Sequence, residues 1–305
     1  MHISYDYYRI FYHVAKFKSF SRAAEVLLSN QPNVTRAIKN LEAELGCILF
    51  VRSNRGVQLT DEGEKLYIHI SRAFENIQRG EEELALGKSL GSGIVSIGAS
   101  ETALHCLLLP VLKQYKAAHP GVSIKVSNHS TPQAVSALKN GLVDIAVVTT
   151  PLEESNNHRV IRIKSFREAV VCGNAFAHLA DSEITLAQLT EYPIISLGTE
   201  TKTYEFYSDF FAQNNLSLRA DIQASTADQV LPMVRHDLGI GFVPEEFIRS
   251  EKDQQSIHVL RLAEEIPQRY ICLVKRTDTS LSPAAKELER MLLACRDKCT
   301  APQQS

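Results

Sequence analysis

The sequence predicts an α/β protein that carries a helix-rich N-terminal domain, and three patterns support this prediction. Apolar residues recur at helical spacing through residues 1–59. One longer helical pattern follows over residues 60–88. From residue 93 onward, β-type runs alternate with helical segments, which is typical of an α/β repeat over a mostly parallel sheet. Because 305 residues are more than one compact core normally holds, two or three domains are expected.

The composition is that of an ordinary globular protein, with 44% hydrophobic and 22% charged residues. No apolar run approaches the ~20 residues that a membrane span needs. The N-terminus lacks the basic head and apolar core of a secretory signal. We therefore predict a cytoplasmic protein without a membrane partner.

Charge is distributed unevenly along the chain, although the total is only −2. Residues 1–59 hold eight Lys and Arg against four Asp and Glu, a balance of +4. Residues 60–90 hold four against seven, and the remainder holds 21 against 24. A local positive balance is what phosphate binding requires, so the N-terminal segment is the candidate for a nucleic-acid partner.

Residues 1–59 show three helical patterns followed by a hairpin pattern. The third helix is predicted to begin after Asn30, which fits an N-cap, with Pro32 in its first turn and Gly46 as its stop. The stretch "ILFVRSNRGVQLT" at 48–60 holds two short β-type runs around a basic tip. Three helices and such a hairpin make a winged helix-turn-helix, whose helix-turn-helix spans Phe20 to Lys39.

The third helix presents hydrogen-bonding side chains opposite its apolar face. With Val34 at the centre of the buried face, an advance of 100° per residue directs Arg36 away from it. Amides and guanidinium groups match base edges in the major groove, whereas basic residues of the hairpin suit phosphates or the minor groove. A solvated helix face is the alternative; the helix-turn-helix spacing, the local charge and the basic hairpin favour double-stranded DNA. The candidate DNA-contacting residues are Ser21, Asn30, Gln31, Pro32, Asn33, Thr35, Arg36, Lys39, Asn40, Arg52 and Arg55.

The helical segment at 60–90 carries apolar residues at alternating spacings of four and three. This heptad pattern predicts a linker helix that pairs with a second chain, giving a homodimer or homotetramer. The alternative is that the same side chains pack on their own N-terminal domain. The glycine-rich "GKSLGSG" at 87–93 predicts a hinge after the helix. The predicted seam residues are Leu66, Ile70, Ala73, Ile77 and Leu84.

Residues 91–305 predict two similar α/β lobes that face each other across a cleft, the usual location of a small ligand. Lobe I is predicted to span 91–164 and to return at 267–305, and lobe II to span 165–266. Hydroxyl residues fall where strands end and helices begin, and helix N-termini suit small anions. Ordinary N-capping is the alternative at each position, and Glu101 weakens the case for an anion. The candidate effector-binding residues are Ser100, Thr102, Thr131, Thr149, Ser196, Thr199 and Thr226.

Neither the cysteines nor the histidines suggest a metal site or a cofactor. The six cysteines are scattered without a CxxC pair, so a disulfide framework is not expected in a cytoplasmic chain. Each cysteine is either small apolar filler or a redox-sensing thiol. The histidines lack the spacing of helix-borne metal pairs.

Residues 19–63 resemble the DNA-binding domain of LysR-type transcriptional regulators. The matching positions are Ser19-Phe20, Ala23-Ala24, Gln31-Pro32, Arg36, Leu41-Glu42, Leu45-Gly46, Leu49-Phe50, Arg52, Leu59-Thr60 and Gly63. Further along, "SIGAS", "LKNGLVDIAVV" and "LGIGFVP" are similar to landmarks of the family's effector-binding domain. The resemblance implies a two-lobed domain like that of periplasmic binding proteins, with Ser100, Thr102, Thr131 and Thr199 facing its cleft. Asn33 departs from the family's small residue, which leaves the operator sequence open.

Two functions of other classes were weighed against a regulator. An enzyme is disfavoured because the chain lacks GxSxG, HExxH, a P-loop and GxGxxG. A solute-binding protein would need a signal sequence and would have no use for residues 1–88. We therefore predict a regulator without enzymatic activity, which binds double-stranded DNA and a small-molecule effector, for which a small anion is one candidate. Contact with RNA polymerase is compatible with this role.

Overall fold

The computed structural model describes residues 3–53, 56–85, 93–153, 155, 157–249 and 256–296. The chain forms two compact units, Met1–Ala85 and Leu86–Ser305. No helix in these ranges combines the length and the apolarity needed to cross a membrane.

The first unit contains four helices and one antiparallel hairpin. Their order is α1 (Tyr5–Phe17), α2 (Phe20–Val26), α3 (Gln31–Leu45), β1 (Phe50–Ser53), β2 (Gly56–Leu59) and α4 (Asp61–Ala85). The hairpin pairs Phe50 with Leu59 and Ser53 with Gly56. The predicted three helices and wing are thus present, and α4 corresponds to the predicted linker helix.

Apolar faces of the first three helices and the hairpin meet in one core. This core is formed by Phe11, Val14, Ala15, Phe20, Ala23, Ala24, Val34, Ile38, Leu41, Leu49 and Phe50. Side-chain caps define where the helices begin: Ser19 Oγ accepts from the Arg22 amide, and Asn30 Oδ1 accepts from the Asn33 amide at 2.9 Å. Gly46 ends α3 with φ +71°, in the left-handed region that favours glycine.

A glycine allows α4 to begin close against the hairpin. A Cβ at Gly63 would lie 2.2 Å from the carbonyl oxygen of Leu49, so no other residue fits there without a shift of the backbone. Thr60 Oγ1 donates to the carbonyl of Ile48 at 2.7 Å and accepts from the amide of Gly63 at 3.0 Å. These contacts explain physically why a Leu-Thr-x-x-Gly pattern stands at this junction.

Two of the predicted seam positions of α4 also contact their own unit, and both remain partly exposed. Leu66 and Ile70 pack against the core of their own unit, as the alternative interpretation had it. Further along the helix, Phe74 is buried and stacks on Tyr12 with ring centroids 4.7 Å apart. Ala73 and Ile77 are exposed, and the side chain of Leu84 lies outside the described residues. The exposed positions Ala73 and Ile77 stay predicted contacts with a partner chain.

The second unit contains two mixed β-sheets. The lobe I sheet has the order β4-β3-β5-β13-β6, from β3 (Gly93–Ala99), β4 (Val122–Asn128), β5 (Ile145–Thr149), β6 (His158–Phe166) and β13 (Arg269–Arg276). The lobe II sheet has the order β10-β9-β11-β7-β12-β8, from β7 (Glu168–Cys172), β8 (Glu183–Ile184), β9 (Ile194–Leu197), β10 (Ile222–Ala224), β11 (Ile240–Pro244) and β12 (His258–Leu262).

Helices cover both sheets. They are α5 (Glu101–Ala103), α6 (Leu109–Ala118), α7 (Thr131–Lys139), α8 (Leu186–Leu189), α9 (Lys202–Gln213), α10 (Val230–Arg235), α11 (Glu245–Arg249) and α12 (Pro283–Ala294). A π-helical turn joins α5 to α6, and 3₁₀ turns follow β7 and β10. Strands β6, β8 and β12 were not predicted from the sequence. Five of the nine strand pairs described in these two sheets are parallel, and the antiparallel ones are those of β13 with β5 and β6 and of β7 with β11 and β12.

The turn between α2 and α3 holds an unusual leucine. The amide of Ser29 donates to the carbonyl of Ala24 at 2.9 Å, and the amide of Leu28 donates to the carbonyl of Glu25 at 3.1 Å. This Schellman-type ending places Leu28 at φ +50°, where glycine or asparagine is the usual residue. The Leu28 side chain is 97% exposed, so burial of the side chain does not offset the free-energy cost of that backbone conformation.

Replacing Leu28 with asparagine is expected to stabilise the first unit by about 0.5–1 kcal/mol, because asparagine tolerates the left-handed region better than leucine. The measurement is the melting temperature of the full chain by scanning calorimetry. Leu28→Ala keeps a Cβ in the same backbone conformation and is the matched control. If the asparagine variant melts no higher than the alanine variant, the claim that the backbone at Leu28 is strained is wrong.

Candidate functional site: a helix face in the first unit and a cleft in the second

The polar face of α3 is exposed and its apolar face is buried. Val34, Ala37, Ile38 and Leu41 are buried. The residues that lie on the exposed side are Gln31, Pro32, Asn33, Arg36, Lys39 and Asn40, whereas Thr35 is half-buried. This face can therefore approach a base-pair edge without rearrangement of the core.

Four of the predicted contact residues have hydrogen-bond partners within the first unit. Ser21 Oγ donates to Gln31 Oε1 at 3.1 Å, which links the start of α2 to the start of α3. Asn40 Nδ2 donates to the Tyr7 hydroxyl at 3.1 Å, so part of its hydrogen-bonding capacity is used by α1. Asn30 caps α3, which accounts for its presence without DNA.

The cationic side chains of α3 are unpaired. Arg36 and Lys39 form no ion pair within the described part of the chain, whereas the exposed Arg22 is paired with Glu25 at 2.9 Å. Unpaired cations on an exposed helix face suit phosphates and guanine edges. The Arg52 backbone lies in β1, but its side chain and the whole of Arg55 lie outside the described residues.

Between the two lobes of the second unit lies a cleft with a volume of about 340 Å³. Five of the seven predicted effector residues line it: Ser100, Thr102, Thr131, Thr149 and Thr226. Ser196 instead lines a cavity of about 10 Å³ beneath the cleft. Thr199 is exposed and is not among the lining residues. The reason is that α9 begins at Lys202, with Thr201 as its N-cap, so Thr201 and Thr203 present their hydroxyls there.

Several lining hydroxyls already have structural roles. Ser100 Oγ accepts from the Ala103 amide, and Thr201 Oγ1 accepts from the Tyr204 amide, as N-caps do. Thr131 Oγ1 donates to the carbonyl oxygen of Thr149 at 3.2 Å. N-capping, the alternative to ligand binding, thus accounts for Ser100. The capping oxygen still has a lone pair that can accept a hydrogen bond from a ligand.

The charged residues of the cleft are mostly paired. Glu101 lies 2.8 Å from His105 Nε2 and accepts from Asn128 at 2.6 Å. The Lys202 ammonium donates to Glu205 in lobe II at 2.7 Å. It also donates at 3.2 Å to Glu153, which follows β5 of lobe I in the sequence. Hydrogen bonds to Glu205 and Glu153 raise the pKa of Lys202, so its ammonium is retained at neutral pH.

Beneath the cleft, Arg269 and Glu168 form a buried ion pair that the sequence analysis missed. Nη1 of Arg269 donates to Glu168 Oε1 at 2.5 Å, and each side chain is only 1% exposed. Nε and Nη2 donate to the carbonyl of Thr150 at 2.9 and 2.7 Å. Nη2 also donates to the hydroxyls of Thr149, at 3.2 Å, and Thr203, at 3.0 Å. Arg269 therefore connects lobe I with lobe II under the floor of the cleft.

This pair perturbs a neighbouring tyrosine. Burial, and next the negative charge of Glu168, hold the pKa of Tyr207 well above its ordinary value. Arg and Glu at the start of a strand look like surface residues in a sequence, and no local spacing joins positions 168 and 269. The sequence marks Glu168 and Arg269 only by placing each of them at the start of a strand.

Two known families match this chain. Residues 5–64 match "Bacterial regulatory helix-turn-helix protein, lysR family", and residues 88–295 match "LysR substrate binding domain". The chain belongs to the LysR family. It is a DNA-binding transcriptional regulator of the LysR type with an effector-binding domain, and the predicted family and architecture are thereby confirmed.

Relatives and solved structures agree with this assignment. The RuBisCO operon transcriptional regulator of Allochromatium vinosum is 26% identical over 298 residues, covering 96% of this chain and 97% of the relative. The uncharacterized HTH-type transcriptional regulator YvbU of Bacillus subtilis (strain 168) is 26% identical over 268 residues, covering 84% and 89%. The crystal structure of CbnR, a LysR family transcriptional regulator, matches with a TM-score of 0.75 at 16% identity and covers 96% of this chain and 99% of that one. This last likeness concerns the fold alone.

Three of the cysteines of this LysR-type regulator are buried and weakly acidic. Burial raises the pKa of Cys106 to about 12, and the pKa values of Cys172 and Cys272 to about 11. Because the thiolate is the reactive form, the raised pKa values disfavour reaction of these thiols at neutral pH. Cys299 lies outside the described residues. Within them, no group of three or more His, Cys, Asp or Glu residues is arranged to hold a metal ion.

Removing one partner of the buried pair is expected to be costly. Arg269→Met leaves the Glu168 carboxylate buried without its counter-ion, and we expect a loss of about 3–5 kcal/mol in the stability of the second unit. The double variant Arg269→Met/Glu168→Met should recover most of this loss. Scanning calorimetry of the full chain measures both changes, and a double variant no more stable than the single one would refute the uncompensated-charge explanation.

Proposed function

We propose that this LysR-type regulator contacts DNA through the exposed face of α3, with Arg36 at its centre and Gln31, Asn33 and Lys39 beside it. The single observation that carries this proposal is a pair of exposed cations, Arg36 and Lys39, which have no ion-pair partner among the described residues and lie on a helix whose other face is buried. Ser21 and Thr35 fit phosphate contacts from the margins of the same face. Arg52 and Arg55 of the wing complete the proposed set.

We further propose that the cleft holds a small effector and that the chain performs no chemistry on it. A ligand that contacts both lobes favours the lobe arrangement in which both contacts form, so it shifts a pre-existing equilibrium. The acting species is a homodimer or homotetramer. Its action takes place in the cytoplasm, where it meets its operator.

Replacing Arg36 with alanine should weaken specific DNA binding by about 1–3 kcal/mol, because a base contact is lost. The measurement is fluorescence anisotropy of the full chain with the DNA fragment upstream of its own gene, over a series of salt concentrations. Wild-type affinity should fall steeply as salt rises, since phosphate contacts release counterions.

The matched control is Lys113→Ala, which removes one positive charge from α6 of the second unit. It should leave the affinity within experimental error. Equal affinities of the Arg36 variant and wild type would refute the assignment of α3 as the base-contacting helix.

The oligomer is expected to depend on Ile77, which is 40% exposed on α4. Ile77→Glu would place a charge in an apolar contact between copies, and we expect dimers to dissociate at micromolar concentration, as measured by light scattering after size exclusion. Ile68 is 49% exposed and lies nine residues earlier, on the opposite side of the helix. Ile68→Glu should therefore keep the oligomer intact; dissociation of both variants, or of neither, would contradict a seam at Ile77.

A further inference from the structure

Two buried side chains near the ion pair each carry an oxygen without a hydrogen-bond partner. Ser196 of β9 is 4% exposed, and the side chain of Glu168 in β7 is 1% exposed. Among the described residues, neither Ser196 Oγ nor Glu168 Oε2 has a partner, whereas Oε1 of Glu168 accepts from Arg269. Buried polar atoms normally have partners, because an unpaired one has lost its hydration without compensation. The loss is largest for a charged group, so the free carboxylate oxygen requires an explanation.

Both residues line the same small cavity beneath the cleft. Its volume is about 10 Å³, and a cavity needs roughly 10–15 Å³ to hold one water molecule. Ser196 and Glu168 line this cavity but not the cleft above it. The cavity therefore has room for a single small molecule beside two oxygens that need a partner.

The charges around the cavity favour a neutral molecule. Arg269 and Glu168 both line it and neutralise each other. A cation would be repelled by the guanidinium, and an anion by the carboxylate. A carboxylate oxygen only accepts hydrogen bonds, so the molecule must donate, whereas the serine hydroxyl can donate or accept. Water meets these requirements with a single heavy atom.

Further hydroxyl groups surround the same position. Thr102, Thr203 and Tyr207 also line the cavity, and a buried water typically makes about three hydrogen bonds. Thr102 belongs to lobe I, whereas Ser196 and Thr203 belong to lobe II. The lining is therefore complete only in the lobe arrangement that the structure describes.

Tyr207 offers the alternative explanation for one of the two oxygens. Burial, and next the charge of Glu168, hold the pKa of Tyr207 well above its ordinary value, so its hydroxyl keeps its proton at neutral pH. A direct hydrogen bond from this hydroxyl to Oε2 would satisfy Glu168. It would leave Ser196 Oγ unpaired, whereas one water can satisfy both oxygens.

We propose that one buried water molecule occupies this cavity and bridges Ser196 Oγ to Glu168 Oε2, completing the hydrogen bonds of the ion pair beneath the cleft. This water is distinct from the effector, because neither of its two main partners lines the cleft. Its site is therefore defined by the fold, whatever the cleft binds.

A crystal structure of the full chain tests the site directly. We expect an electron-density peak for one water at about 2.5–3.0 Å from both Ser196 Oγ and Glu168 Oε2. Absence of a peak between well-ordered side chains overturns the proposal, as does a peak whose contacts and scattering identify an ion. A Tyr207 hydroxyl at hydrogen-bond distance from Oε2, with Ser196 Oγ still unpaired, overturns it in favour of the alternative.

The sign of a change in stability provides an independent test. Ser196→Ala should lower the melting temperature of the second unit by about 2–4 °C in scanning calorimetry, because a hydrogen bond to the water is lost. If Ser196 Oγ were unpaired, alanine would remove an unsatisfied group and raise the melting temperature. A higher or unchanged melting temperature of the variant therefore contradicts the bridge.

The matched control is Ser123→Ala, which changes an exposed serine on β4. It should shift the melting temperature by no more than about 1 °C. The crystal structure of the Ser196→Ala variant links the two measurements. The water should lose occupancy or move towards its remaining partners, and an unchanged peak would show that Ser196 is not one of them.

Discussion

The buried contact between Arg269 and Glu168 is the interaction on which the second unit depends. The chain passes from the lobe I sheet to the lobe II sheet between Phe166 and Glu168, and it returns to lobe I at Arg269. The ion pair therefore joins the two crossings. Taking two charges out of water is expensive unless further hydrogen bonds satisfy them. Arg269 obtains these bonds from Thr149, Thr150 and Thr203.

Packing around the guanidinium adds to this arrangement. The Arg269 guanidinium lies 4.8 Å from the ring centroid of Phe206 and 5.3 Å from that of Phe166, so aromatic rings from both lobes contact it. The pair thus constrains the relative position of the lobes while leaving the cleft above it polar. Apolar side chains of similar volume in place of the pair would give about the same stability. The presence of the ion pair is therefore better explained by its contacts with residues that line the cleft than by stability alone.

Short-range patterns were enough to predict the first unit. The cap at Asn30, the stop at Gly46 and the basic hairpin all act within a few residues, so their physics is visible in the sequence. The sequence left open whether Leu66 and Ile70 pack on their own unit or on a second chain, because an apolar position on a helix does not specify which surface buries it. Phe74 fell outside the heptad register and yet is the buried contact of that helix with α1.

The second unit was harder to predict from the sequence, because its decisive contacts join residues that are far apart in the chain. Alternation of strands and helices predicted two lobes, but a short strand such as β8 carries too few residues for a pattern. Hydroxyls at helix starts located most of the cleft, because a cap and a ligand contact use the same positions. The pair that organises its floor joins residues 101 positions apart, and nothing local marks either one as buried.

The division of the cleft between two lobes determines how a ligand can act on the protein. α7 belongs to lobe I and α9 to lobe II, and residues at the start of each line the cleft, so a ligand that contacts both makes its full set of contacts in only one lobe arrangement. A ligand held by one lobe alone would bind every arrangement equally and shift nothing, however tight its binding. The division of the lining residues between the lobes, rather than the affinity of either half, is therefore what allows occupancy of the cleft to change the protein.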